Sequence, residues 1–453
     1  MKSAFRRAIL TVVPLIWGVA APLVCGAQTD DRQAQQTNAS LAANVEPDGV
    51  SLSADSSLQG GAATQDQGAA TPANPPQAST PASASQAPAA PQPLPTPSMS
   101  GPLSTAVPHE FDGGPFGKLD VTGILSGIGA TQGNHVVAAP PFMSDATYWD
   151  VSNGQVFVQK TTGWWQFYLQ AGAYNIPALG TPFLSTGNSV NKFWGPLPVG
   201  YLKLVKGNFN IEVGALPTLV GAEYTFTFQN MNIERGLLWN QESAVSRGIQ
   251  LNDTYKKLTL SFSWNDGFYS NRYTWLSGSL TYAFNAANSL AFVAAGNAGQ
   301  YDKNTVATPL FLNNSQIYNL IYTYTHGNWV VQPYFQYTNV ITDLRVGIPR
   351  GASTQGEALL LSYNLKHGFF LAVRPEYIST TGSVAKGNIN LLYGPGSNAF
   401  AFTVTPTYQK GAFFGRAEFS IVHAGSSTAG DAFGPAGLDH DQPRGAIEVG
   451  FLF

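Results

Sequence analysis

The sequence predicts an all-β protein: a transmembrane antiparallel up-and-down barrel of about sixteen strands, preceded by a segment with no fold of its own. Three observations carry this expectation. The last ten residues place Gly445, Ile447, Val449, Phe451 and Phe453 on one face of an extended strand and Arg444, Glu448 and Leu452 on the other, because strand side chains alternate with period two. Only 11% of residues are charged while 12% are aromatic, whereas about a quarter are charged in ordinary soluble domains. Finally, short turns alternate with long loops along the whole C-terminal part, which is expected when one barrel rim faces the periplasm and the other faces outside.

The amino terminus fixes the compartment. Lys2, Arg6 and Arg7 precede an apolar stretch from Ala8 to Val24 and a small-residue exit at Cys25-Gly26-Ala27. This is the pattern of a Sec-type signal peptide over 1–27, cleaved after Ala27. The short run and small-residue exit favour cleavage over an uncleaved anchor, and Cys25 lacks the small preceding residue of a lipidated cysteine. Cleavage removes the only Cys, and with it all thiol chemistry. It also leaves 20 basic residues against 26 acidic, from 23 against 26, a balance that excludes nucleic acid as a partner. After the signal, no apolar run is long enough for a membrane helix. Residues 28–115 are rich in Pro, Ala, Gln, Ser and Thr. Such a tract cannot bury enough surface to offset its ordering entropy, and it reads as a disordered linker in the periplasm. The barrel occupies 116–453.

Seven turn signals rich in Gly, Asn or Lys follow: Thr161 to Gly163, Lys206-Gly207, Lys256-Lys257, Asn285 to Asn288, His326 to Asn328, His367-Gly368 and Lys410-Gly411. Each is flanked by alternating runs, the hairpin pattern. Eight longer stretches separate them, near 131–153, 174–196, 216–246, 266–275, 297–315, 341–355, 380–397 and 424–443. Sixteen strands result, and the even count returns both termini to the periplasmic side.

The faces of these strands are chemically distinct. From Gly368, Phe369, Leu371, Val373 and Tyr377 oppose Ala372, Arg374 and Glu376; from Gly411, Phe413, Ala417, Phe419 and Ile421 oppose Arg416, Glu418 and Ser420. A soluble sandwich would alternate likewise. The polar faces here are mostly Thr, Ser, Gln and Asn, and lack the Lys/Glu-rich character of a soluble surface. Aromatics such as Trp164, Trp165, Trp264, Tyr324, Trp329, Tyr337, Tyr377 and Tyr408 fall near strand ends, as interfacial girdles require. The lipid of the outer membrane is therefore one expected partner.

No catalytic residue and no metal or other cofactor is expected. The six His are scattered without metal-ligand spacing, and no nucleophile, base and orienting acid announce themselves. Ser152-Asn153-Gly154 lacks the companions of an outer-membrane phospholipase signature. What remains is a lumen. Lys203, Glu212, Lys257, Arg374, Glu376, Arg416, Glu418, Arg444 and Glu448 are expected to line it, setting the field felt by a passing solute; Arg–Glu pairs bracing the wall are the alternative. Mixed signs predict weak charge selectivity. The loop from Pro217 to Ser246 carries Glu223, Glu234, Arg235 and Glu242 among Tyr224, Phe226, Phe228 and Trp239. So much apolar surface in a loop suggests either a constriction folded into the barrel or a packed external cap.

Val213-Gly-Ala-Leu-Pro-Thr-Leu-Val-Gly-Ala-Glu-Tyr224, with the Phe/Asn-rich stretch after it and Ser246-Arg-Gly-Ile-Gln-Leu251, resembles the OmpL-like beta-barrel porins (beta-barrel porin type 2). Leu260 to Gly267, ending in Asn-Asp-Gly, is similar to the next strand of that family. The resemblance spans 116–453 and implies a bacterial outer-membrane porin for passive uptake of small hydrophilic solutes. The ending on Phe453 also resembles the closing strand of bacterial outer-membrane proteins, which implies recognition by the barrel assembly machinery. A homo-oligomer is compatible with this reading. The alternative is a structural or adhesive barrel plugged by its own loops, with the linker contacting cell wall or a periplasmic partner.

Overall fold

The computed structural model describes Leu103 and residues 107–453; the expected signal peptide and nearly all of the expected linker lie outside the described residues. Period-two patterning emerges as a short strand β1 (His109–Asp112) and sixteen long ones: β2 (Lys118–Gln132), β3 (Thr147–Lys160), β4 (Trp165–Tyr174), β5 (Val199–Lys206), β6 (Phe209–Pro217), β7 (Val245–Tyr255), β8 (Leu258–Asn265), β9 (Trp275–Asn285), β10 (Asn288–Asn297), β11 (Ser315–His326), β12 (Trp329–Val340), β13 (Ala352–Lys366), β14 (Phe369–Thr380), β15 (Asn398–Lys410), β16 (Phe413–Gly425) and β17 (Asp441–Leu452). Each long strand pairs antiparallel with the next, and β17 pairs with β2. Closure leaves no main-chain edge to lipid, the condition for a sheet to cross a bilayer. No helix among the described residues is long and apolar enough to do so; α1 (Thr186–Lys192) and α2 (Leu310–Asn313) are loop helices.

All seven turns fall at the sites of the Gly, Asn and Lys signals, and the eight long loops lie between them. Gly207, Gly327 and Gly411 take φ of 61°, 60° and 59°, the left-handed values a two-residue hairpin needs. The outer face carries large exposed apolar side chains on strand after strand, including Leu202, Leu260, Phe262, Leu280, Phe292, Leu320, Phe335 and Phe402. Aromatic pairs form a belt at the rim of the short turns: Trp329 with Tyr363, Phe369 with Tyr408, and Phe413 with Phe451. Outward-facing Gly123 and Gly129 make room for a ring at each rim, Phe453 on the short-turn side and Trp149 on the long-loop side; a Cβ on either would stand 2.3 Å from that ring.

The seam between β17 and β2 has an addition that the sequence hides. Phe453 N donates to Gly123 O (2.9 Å) and Gly123 N donates to Phe453 O (2.6 Å). Beyond this point β2 would have a bare edge, and β1 covers it, with His109 opposite Val121 and Asp112 opposite Lys118. Paired structure thus begins upstream of Phe116, where the sequence places the start of the fold. His109-Glu-Phe-Asp112 has no alternating apolar face and is exposed throughout, so composition alone reads it as linker.

Candidate functional site

Loop 3 (residues 218–244), between β6 and β7, folds into the barrel and crosses it. Its base is closed by Thr218 N donating to Ala244 O at 3.1 Å. From there it reaches every strand from β11 to β17. Gly221 N donates to Asn319 Oδ1 (3.0 Å) on β11, and Gln336 Nε2 on β12 donates to Leu238 O (3.0 Å). Thr354 on β13 donates to Gln241 Oε1 (2.5 Å), and Asn232 donates to Thr405 on β15 (2.6 Å).

Charged groups hold the centre of this crossing. Arg374 on β14 contacts Glu223 (2.5 Å) and its neighbour Glu376 (3.0 Å), and also donates to Glu234 O (2.9 Å). Arg444 on β17 pairs with Glu234 at 2.8 Å. Glu418 on β16 accepts the main-chain N–H groups of Ile233 (2.6 Å) and Glu234 (3.0 Å), a small backbone nest around a carboxylate. Arg416 pairs with Glu448 on the facing strand (2.5 Å) and donates to the carbonyls of Asn230 and Thr227. Thr227 in turn donates to Glu448 (2.7 Å) and accepts from Asn153 on β3 (2.7 Å). Glycine permits the closest approaches: a Cβ at Gly236 would lie 2.0 Å from Glu376 Oε1.

Two further contacts tie the loop down. Arg235 donates to Pro177 O in loop 2 (175–198) at 2.7 Å, its Nη1 has no partner, and burial lowers its guanidinium to about 10. Glu242 accepts a hydrogen bond from Tyr334 of β12. Leu237, Leu238, Met231 and Ala222 pack against small inward residues of the wall, among them Ala358, Ala372, Ala399 and Ala401. Those alanines leave the space that the loop fills.

The positions of the sequence-derived residues follow from this arrangement. Arg374, Glu376, Arg416, Glu418, Arg444 and Glu448 turn inward, as does Glu212, and none of the seven exposes more than 5% of its surface. Around an open aqueous pore they would face water; here loop 3 covers Arg374, Glu376, Arg416, Glu418, Arg444 and Glu448. Lys203 lies opposite Glu212 and pairs with it at 3.0 Å, a quarter of its side chain exposed. Lys257 is not on the wall. It stands in the β7–β8 turn, exposed, with Nζ on Phe284 O (2.8 Å), because Lys256 takes the positive φ of 56° that reverses the chain. Glu223, Glu234, Arg235 and Glu242 all lie inside the barrel, so the inward path of loop 3 is the one the chain takes. The neutral anchors Asn153, Asn319, Tyr334, Gln336, Thr354 and Thr405 were not singled out by sequence; their only signal is an inward position.

Burial pushes the Glu242 carboxyl up to about 8, partly offset by the bond from Tyr334. A carboxyl released to water returns to its ordinary value of 4.5, so the seated loop holds a proton that the released loop has lost. The seat therefore has this contribution in full below about 4.5 and loses it as pH rises to about 8. Protease cleavage of loop 3 in the detergent-solubilised protein should quicken across that window, and Glu242→Gln, neutral throughout, should flatten the change. Wild-type cleavage that does not differ from that of Glu242→Gln across the window would contradict the assignment.

A closed sixteen-stranded barrel, apolar outside and polar within, with a loop across its lumen, defines an outer-membrane protein of the channel class. The chain belongs to the family described as "Putative beta-barrel porin-2, OmpL-like", which it matches over residues 118–453. Among solved structures it is similar to the anion-selective porin from Comamonas acidovorans, at 9% identity and a TM-score of 0.52, covering 74% of this chain and 99% of that one. Outer-membrane-expressed OmpT of Vibrio cholerae gives 10% identity and 0.49 over 74% and 98% of the two chains. The outer-membrane channel DcaP of Acinetobacter baumannii gives 9% and 0.48 over 74% and 97%. Identity this low speaks for the fold alone. No curated protein matches the chain. Family and fold point to a channel rather than an enzyme, in the bacterial outer membrane.

Proposed function

We propose that this porin passes small hydrophilic solutes by diffusion and that loop 3 is its gate. The chain is exported through the Sec route on residues 1–27, its linker stays in the periplasm, and the strand ending on Phe453 is offered to the assembly machinery. The mixed-charge wall of Lys203, Glu212, Arg374, Glu376, Arg416, Glu418, Arg444 and Glu448 becomes the pore lining once the loop is displaced. One observation supports a movable loop above all. Among the described residues its bonds to the wall strands all involve side chains, and the only main-chain bridge it makes outside its own base is Ala178 with Arg235, to loop 2. The strand ladders are complete without it, so it can leave while the barrel stands.

The second reading, a structural or adhesive barrel closed permanently by its loops, draws on the burial of the wall charges. Liposome swelling separates the two. Proteoliposomes in isosmotic arabinose or glycine should swell, at rates that fall with solute size. Vesicles that do not swell with any solute, wild-type or loop-deleted, would favour the closed barrel.

A further inference from the structure

Below loop 3 the wall of β3, β4 and β5 sets aromatic rings and amides side by side. Residues paired across neighbouring strands share a face, and here rings and amides alternate across β3 and β4, with Tyr201 of β5 continuing the rings. Phe157 lies opposite Gln170, Gln159 opposite Tyr168, and Tyr168 opposite Tyr201. The rings form one shelf around the wall: Phe157 and Tyr168 stack at 6.5 Å and 15°, Tyr168 and Tyr201 at 5.6 Å and 28°. Beside them runs a line of hydrogen bonds, with Tyr168 Oη donating to Gln170 Oε1 (2.9 Å) and Gln170 Nε2 donating to Gln155 Oε1 (2.6 Å). One amide stands outside this line. Gln159, only 4% exposed, has no hydrogen-bond partner for Nε2. A buried donor left unpaired costs free energy that an accepting hydroxyl would recover.

Loop 3 meets the shelf through a ring at Phe157. Phe228 lies 5.6 Å from Phe157, and Phe226 stacks behind Phe228 at 6.3 Å. We propose that the shelf is a saccharide-binding site, in which the flat C–H face of a sugar ring stacks on Phe157, Tyr168 and Tyr201 while a hydroxyl accepts from Gln159 Nε2, and that Phe228 holds this place until a sugar takes it. The inference rests on the channel reading and names its solute class. An aromatic acid would offer a flat face too, but it would need a free cation, because a buried charge must be paired. The nearby cations are engaged. Lys160 Nζ donates to Thr162 O (2.5 Å) and Trp165 O (2.9 Å), and Lys203 pairs with Glu212. A neutral polyol needs only the rings and the amides.

Full-length protein in detergent, titrated with maltotriose by calorimetry, tests the site directly. Phe228→Ala should bind about fivefold tighter than wild type, since one ring pair no longer competes. Tyr168→Ala should lose binding, Gln159→Leu should weaken it about tenfold, and sodium benzoate should give no heat. Heat-modifiable migration on gels verifies that each variant is a folded barrel. No maltotriose binding to Phe228→Ala, unchanged binding to Tyr168→Ala, or benzoate binding in place of maltotriose would overturn the proposal. Vesicles that swell with arabinose while maltotriose fails to bind would remove the site and leave the channel. Binding without any swelling would remove the channel and leave the site.

Discussion

Deleting residues 222–240 should convert a pore with small, infrequent openings into one with a large, steady conductance. A sixteen-stranded barrel leaves an aqueous channel unless something occupies it, and here loop 3 is the connection that crosses it, with loop 2 beside it against Arg444. The deletion removes Glu223, Glu234, Arg235 and the apolar residues Met231, Leu237 and Leu238, which fill the space above the wall alanines. It leaves Thr218 and Ala244, whose 3.1 Å hydrogen bond closes the loop base, so β6 and β7 keep their connection. Arg374 and Arg416 then face water beside Glu376, Glu418 and Glu448, while loop 2 still holds Arg444 through the carbonyls of Ala178 and Thr181. Because both signs are exposed together, the enlarged pore should show only weak preference between cation and anion. Single-channel recording reads both quantities. Unchanged conductance would mean that solutes pass elsewhere or nowhere.

The barrel was legible in the sequence because lipid imposes a local rule. Each residue pair on a strand must alternate between two environments, and a turn such as Lys410-Gly411 or His326-Gly-Asn328 is written in neighbouring residues. The pairing of β17 with β2 needed only the inference that a sheet in a membrane must close. The gate was legible by half. Glu223 and Glu234 stood out as acids in an apolar loop, but their partners are set by distance through space: Glu223 and Arg374 are 151 residues apart, Glu234 and Arg444 are 210. Sequence offered field or brace for the Arg–Glu alternation, and in the structure one pair does more than either. Arg416 and Glu448 brace adjacent strands directly opposite one another and also hold Thr227 and Asn230 of the loop, while Arg374 and Arg444 reach the loop's Glu223 and Glu234. The ring-and-amide shelf was illegible because it depends on register. Phe157, Tyr168 and Tyr201 lie on three strands, and nothing in their local sequence says that they stack. Lys257 failed for the opposite reason: the same residue served as turn and as wall, and the turn geometry prevailed.

Reversing one of those anchors should release the gate without a deletion. Arg374 is fully buried and serves Glu223, Glu376 and the carbonyl of Glu234 at once. Arg374→Glu removes all three attractions and sets a third carboxylate beside two others in a dry site. Breaking one partner of a buried ion pair costs about 3–5 kcal/mol, which shifts the balance between seated and released loop by about a hundredfold to several thousandfold. The cost falls on the loop, not on the barrel, because β13, β14 and β15 retain their ladders. The variant should therefore still migrate as a heat-modifiable folded barrel while its open probability rises steeply. Adding Glu223→Arg restores one opposite-charge contact and should recover part of the closed state, less than all of it because Glu376 still faces a like charge. That partial recovery is the signature of direct coupling between the two positions. If Arg374→Glu remains folded and closed, the buried ion pairs brace the wall and the loop is held by packing alone.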